Sequence, residues 1–228
     1  MKLATVLRYV ELEATGPDAV WNTRYYIGNG FEKMAKENGV GLIAIMTEHD
    51  IESVLAECDG LVIPGSATNI NPEYYGGEPW ETAEPVDEYG FDRKIIEHFV
   101  KARKPIFGIC GGMQELNIYF GGNMRLIPAK GTHNNTRHNI DIAPDSFVYD
   151  VYKSEKAEIN SYHNWMLDKV AEGFKVVARS EEGIIEAIEC KEKKIFAVQW
   201  HPELSYNTDN HTEDKFFKNF IECCKNNK

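Results

Sequence analysis

The chain has 228 residues, 43% of them hydrophobic and 27% charged, and its 36 acidic against 25 basic side chains give a formal net charge of −11. That length can bury a substantial core, which excludes a stapled mini-protein, and the acidic balance, with no basic cluster beyond pieces such as KEKK at 191–194, argues against a nucleic-acid partner. No run approaches the ~20 apolar residues of a membrane span, and the opening MKLATVLRYVELEATG turns acidic too early for a secretory segment, so a cytoplasmic protein is expected.

In chain order, a strand is predicted over Leu3–Leu7, a helix over Tyr26–Glu37 closed by Asn38-Gly39, and a strand over Leu42–Met46. A helix over Ile51–Glu57 and a buried strand over Gly60–Ile63 follow, the strand ending in Pro64-Gly65. After a loop rich in Gly, Pro and Tyr comes a helix over Glu88–Arg103, with Phe91, Ile95 and Phe99 on one face, then a strand over Ile106–Ile109. Strands alternating with helices at this spacing imply crossover units, and hence a mostly parallel sheet with helices on both faces. From about residue 138 the texture changes to short strand-like runs at 140–142, 147–149, 174–179, 184–189 and 195–200, which are expected to add antiparallel strands. A closing amphipathic helix over 212–224 carries Phe216, Phe217, Phe220 and Ile221 to dock on the sheet. With no repeat, low-complexity tract or linker, residues 1–228 read as a single three-layer α/β domain.

Of the five cysteines, Cys58, Cys110, Cys190, Cys223 and Cys224, the odd number and scattered spacing suit free thiols better than a disulfide framework. Cys110 has the most suggestive setting. It follows the strand 106–109, precedes Gly111-Gly112, and stands at the start of a helical run, Met113–Phe120. A tight strand-to-helix turn lifts such a side chain above the carboxyl edge of the sheet, and the N-terminal end of the helix favours thiolate. The plainer alternative is a cysteine buried in a core turn. A thiolate nucleophile needs a base held by a third group. His201-Pro202-Glu203 follows the apolar run Ile195–Trp200, and Pro202 keeps His201 extended so that Glu203 can approach the imidazole. Pro64-Gly65-Ser66 follows another buried strand. A backbone N–H of Gly65 or Ser66, together with that of Gly111, is positioned to hold an oxyanion. By itself this segment reads equally as an ordinary turn.

Together these motifs resemble the class I glutamine amidotransferase-like hydrolases. Gly108-Ile109-Cys110-Gly111-Gly112-Met113-Gln114 is similar to the family's G-x-C-x-G-x-Q turn, and Gln199-Trp200-His201-Pro202-Glu203 to its Q-[WF]-H-P-E motif. GSATNINPEYYG at 65–76, PIFGICGGMQEL at 105–116 and INSYH at 159–163 resemble the γ-glutamyl-γ-aminobutyrate hydrolase branch, beside the γ-glutamyl hydrolases. The resemblance spans about 25–204 and implies a flavodoxin-like fold. It also implies Cys110 as nucleophile, His201 as general base and then acid, Glu203 as the orienting carboxylate, and Gln114, Asn160, Ser161 and His163 around a glutamyl pocket. Gly111 stands where the branch has Arg, Trp165 where it has Gln, and Thr68 where it has Ser. The loss of the Arg removes a charge beside the nucleophile but keeps the N–H. The implied reaction is hydrolysis of a small γ-glutamyl amide through a thioester, with no metal and no cofactor. A glutaminase subunit feeding ammonia to a separate synthetase is the alternative, and a non-catalytic binding protein a third reading. Tyr74, Tyr75, Trp80 and the 133–138 loop are candidates for shaping specificity; the oligomeric state, homo-oligomer included, is left open.

Overall fold

The computed structural model describes residues 1–11, 23–78, 84, 86–128 and 132–227; Trp80 lies outside them. The first half builds strands β1 (Lys2–Val6), β2 (Arg8–Glu11) and β3 (Thr23–Tyr26), helix α1 (Asn29–Asn38), strand β4 (Gly41–Ile45), helix α2 (Ile51–Glu57), strand β5 (Gly60–Ile63), helix α3 (Glu88–Lys101) and strand β6 (Ile106–Ile109). Then follow helix α4 (Gly111–Tyr119), strands β7 (Met124–Leu126) and β8 (Asn134–Ile142), helix α5 (Phe147–Tyr152), and strands β9 (Lys156–Tyr162) and β10 (Trp165–Leu167). Strands β11 (Lys175–Ser180), β12 (Ile185–Cys190) and β13 (Ile195–Val198) and helix α6 (Asp214–Lys225) complete the chain.

Nine strands form one sheet in the order β4-β1-β5-β6-β13-β12-β11-β8-β9. The five from β4 to β13 are parallel, and the four beyond β13 are antiparallel, as the change of texture implied. The pleat divides the core in two. Leu3, Val62, Phe107, Ile109 and Val198 face α1, α5 and α6, whereas Ala4, Val6, Leu61, Ile63, Ile106 and Ala197 face α2, α3 and α4. Because both faces are covered, these strands read as continuous apolar runs. The α6 rings dock as its periodicity predicts: Phe107 lies 5.6–6.3 Å, centroid to centroid, from Phe216, Phe217 and Phe220. Burying each such side chain contributes roughly 1.5–3 kcal/mol.

Three expectations shift. The first helix begins at Asn29, because Tyr26 pairs with Arg8 in the β2–β3 hairpin. The helix ends as foreseen, on Gly39 in the left-handed conformation (φ 62°). The run 147–149 is helical, since Ser146 Oγ accepts a hydrogen bond from Tyr149 N (3.1 Å) and caps a short helix that stops at left-handed Lys153. Finally β8 runs from 134, further than 140–142, because its polar first half pairs with β9. All five cysteines are free. Among the described residues, no helix is long and apolar enough to cross a membrane.

Candidate active site

β5, β6 and β13 are parallel neighbours, so the segments that leave their carboxyl ends meet at one edge. Cys110 leaves β6 in a conformation that L-residues rarely adopt, φ 51° and ψ −107°. It is held there by its own N–H, which donates to Val198 O on β13 (2.8 Å), and by its carbonyl, which accepts the first hydrogen bonds of α4 from Met113 N (3.0 Å) and Gln114 N (3.3 Å). The result is a sharp elbow with the thiol just ahead of a helix N-terminus, at the edge of a closely packed core.

His201 leaves the neighbouring strand with a non-helical backbone (φ −115°, ψ 82°), and Pro202 opens a 3-10 turn over 202–207 that brings Glu203 back beside it. The imidazole Nδ1 lies 2.7 Å from Glu203 Oε1, and the ring is within hydrogen-bonding reach of the Cys110 thiol. Burial, the largest single influence, pushes the imidazole toward neutrality; the Glu203 carboxylate and Cys110 outweigh it and hold His201 well above the usual histidine range. The ring therefore carries a proton at neutral pH. Asn160 fixes the backbone on both sides, accepting from His201 N and donating to His201 O, each at 3.0 Å.

The Pro64–Ser66 segment closes the third side. A Cβ on Gly65 would sit 2.7 Å from His201 Cε1 and 3.1 Å from Cys110 Cβ, so only glycine lets the loop lie against both side chains. A Cβ on Gly111 would come within 3.0 Å of Ser66 N, which places the two backbones expected to share an oxyanion against each other. A side chain at 111 must lean on that loop, and glycine removes the pressure.

Of the four residues assigned to a pocket, Gln114 donates to Gln199 Oε1 (3.2 Å) and Trp165 O (3.4 Å), and Asn160 is committed to His201. Ser161 donates to His133 O (2.6 Å), and His163 places Nδ1 2.8 Å from Trp165 O. Tyr74, Tyr75 and Trp165 pack around Ile70, Tyr89, Ile118 and Met124. Two contributions escape a motif reading. Gln199, inside the quoted motif but without a role there, points Nε2 at Cys110 Sγ (3.6 Å). Arg8, fully buried, donates to Pro64 O from Nη2 (2.7 Å) and Nε (3.2 Å), and pairs with Asp92 (2.5 Å), Glu115 (3.2 Å) and Glu88 (3.5 Å). Glu88 in turn accepts from Ser66 Oγ (2.5 Å). The loop beside Cys110 is thus pinned from below by a buried ionic network.

A free cysteine on a strained elbow, a histidine–carboxylate pair at the next parallel strand and a doubly covered sheet together define a class I glutamine amidotransferase-like domain. The fold agrees with solved structures: a GMP synthase component of Thermoplasma acidophilum superposes with a TM-score of 0.70 at 22% identity, covering 99% of this chain and 94% of that one. A glutamine amidotransferase of Methylobacillus flagellatus does so with a TM-score of 0.61 at 15% identity, covering 88% and 70%. The chain belongs to the peptidase C26 family, whose model matches residues 10–203. It is 30% identical over 216 residues to the glutamine amidotransferase-like protein YvdE of Lactococcus lactis, covering 88% of this chain and 89% of that protein. It is 26% identical over 194 residues to the γ-glutamyl-γ-aminobutyrate hydrolase PuuD of Escherichia coli, covering 77% and 75%. The membership makes this a hydrolase-type fold for amide bonds.

Proposed function

We propose that the chain hydrolyses the γ-glutamyl amide bond of a small γ-glutamyl amine. The observation that carries this reading is the Glu203–His201 pair set against a strained, free Cys110, with two backbones abutting beside the thiol. The Cys110 thiolate attacks the γ-carbonyl, and the N–H groups of Gly111 and of Gly65 or Ser66 hold the oxyanion. As the C–N bond breaks, the amine takes a proton from His201, leaving a γ-glutamyl thioester on Cys110. Water, deprotonated by His201, attacks the thioester; the C–S bond breaks and free glutamate leaves. Glu203 keeps the imidazole oriented throughout, and no step calls for a metal or cofactor. Gln114, Asn160, Ser161 and His163 support the pocket, the last three chiefly by ordering the backbone around His201 and His133.

The relation to PuuD supports a γ-glutamyl substrate. A second reading, a glutaminase subunit that passes ammonia to a synthetase, has its own support in a 32% match over 136 residues to the glutamine-hydrolysing GMP synthase of Dictyostelium discoideum, covering 58% of this chain and 18% of that protein. A panel of γ-glutamyl amines assayed beside free glutamine decides between them. Turnover of the amines by the isolated chain, abolished in Cys110→Ala, is the expected result. Cleavage of glutamine alone, rising when a synthetase is added, would replace this reading with the second.

A further inference from the structure

Behind the site, three histidines converge on one buried carboxylate. His133 precedes β8, His138 lies on it, His163 follows β9, and Glu186 stands near the start of β12, where the β11–β12 hairpin turns. Glu186 Oε1 lies 3.3 Å from His133 Nδ1, 3.3 Å from His138 Nε2 and 3.7 Å from His163 Nε2. Glu186 is 0% exposed and His133 1%, yet these four facing atoms have no hydrogen-bond partner among the described residues. Buried polar atoms are rarely left this way, and four in one place call for a common partner.

The geometry identifies the partner as a cation. An ion held tetrahedrally at about 2.0–2.1 Å keeps its ligand atoms about 3.3–3.4 Å apart, close to the spacings between Glu186 and the imidazoles. The outer contacts agree. Trp165 O can only accept, so His163 Nδ1 carries the proton and Nε2 turns a lone pair toward the carboxylate. On the far side of His133, Nε2 faces Glu182 Oε2 at 3.7 Å, the carboxylate–histidine arrangement that orients a metal ligand. We propose that His133 Nδ1, His138 Nε2, His163 Nε2 and Glu186 Oε1 bind a divalent transition ion of the zinc class, four-coordinate and closed. With every position taken by protein, the ion is structural, tying the 133–138 segment and the β9–β10 connection to β12. It reaches the thiol only indirectly, from Trp165 O through Gln114 and Gln199.

The test uses the full-length chain carrying Cys110→Ala, so that no ion is held by the thiol, stripped with chelator and titrated with Co²⁺ and Zn²⁺. Uptake of about one ion per chain is expected, with the visible bands of tetrahedral cobalt, no thiolate-to-cobalt charge transfer, and a raised Tm. Adding His138→Gln or Glu186→Gln should weaken binding by about 100-fold or more. His138 is partly exposed, which makes its replacement the milder of the two for folding, and a metal-free melt of each variant checks that it folds. Absence of uptake at micromolar ion with an unmoved Tm, cobalt bands that are not tetrahedral, charge transfer from a thiolate, or undiminished affinity in folded variants would each overturn the proposal. The cobalt spectrum decides the matter even if neither variant folds.

Discussion

Replacing Gly30 with alanine perturbs the candidate site from a helix that carries none of its residues. A Cβ at this position in α1 would lie 2.2 Å from the carbonyl oxygen of Glu203, 2.9 Å from its carbon and 3.2 Å from its Cβ. The nearest atom is backbone, so no side-chain rotation relieves the contact, and α1 and the 202–207 turn must part by about 1 Å to restore an ordinary separation. Overpacking of this kind costs about 1–3 kcal/mol. If the turn yields, the 2.7 Å contact between Glu203 and His201 opens past ~3.5 Å and is lost as a hydrogen bond. A displacement of that size costs on the order of 100-fold in rate, or about 2.7 kcal/mol in kcat/KM. Two assays follow this: hydrolysis of a chromogenic γ-glutamyl anilide, and the rate at which iodoacetamide alkylates Cys110, which needs no knowledge of the substrate. Gly28→Ala is the control, because its Cβ would stand 3.8 Å from Phe31 Cδ2. A Gly30→Ala protein with wild-type kcat/KM and alkylation rate would refute the coupling between α1 and Glu203, whatever its Tm.

Cys110→Gly and Cys110→Ala should both be inactive. Because the backbone at 110 stores on the order of 1–3 kcal/mol and glycine returns about 0.5–1 as chain entropy, the glycine variant should be the more stable by ~1 kcal/mol in urea melts. Burial pushes the Glu213 carboxyl up to about 7, against the pull of the Tyr152 hydroxyl and Arg137. The folded chain then binds more protons than the unfolded one between about pH 4.5 and 7, so roughly 3 kcal/mol of stability is lost as pH rises through that window. Glu213→Gln should flatten the dependence of Tm on pH there; an unchanged slope would contradict it. Arg8→Met strands three buried carboxylates and should cost about 3–5 kcal/mol. Burial already pushes Asp92 and Glu115 upward, so without Arg8 they take up protons readily, and the deficit should be smaller at about pH 5 than at about pH 8. An equal deficit at both would show that packing, not charge, is what Arg8 supplies.

The residues at the meeting edge were legible in the sequence because each leaves a short, wholly apolar strand bounded by Gly or Pro, a pattern that marks strand, turn and exit together. What escaped depends on pairing across the chain. β2 and β3 are four residues each and take their definition from one another, and the first half of β9 is polar because it lies at the antiparallel edge. Helix α5 was hidden by an apolar triplet, Phe147-Val148-Tyr149, that suits a strand until Ser146 is recognised as its cap. Arg8 could not be assigned at all, since Pro64 and its three acidic partners come from segments distant in sequence and only the folded sheet brings them to one guanidinium.

That Cys110 and His201 sit on adjacent strands has a consequence for biosynthesis. β13 is the last strand made, yet it inserts between β6 and β12 in the middle of the sheet. A chain halted before Ile195 carries the cysteine without its histidine, and the donor–acceptor link from Cys110 N to Val198 O that pins the elbow is missing as well. Reactivity at the thiol is therefore withheld from the growing polypeptide and switched on by a long-range closure, which is among the slower events in folding. Cys110 alkylation measured during refolding would time the moment at which the two halves of the sheet join.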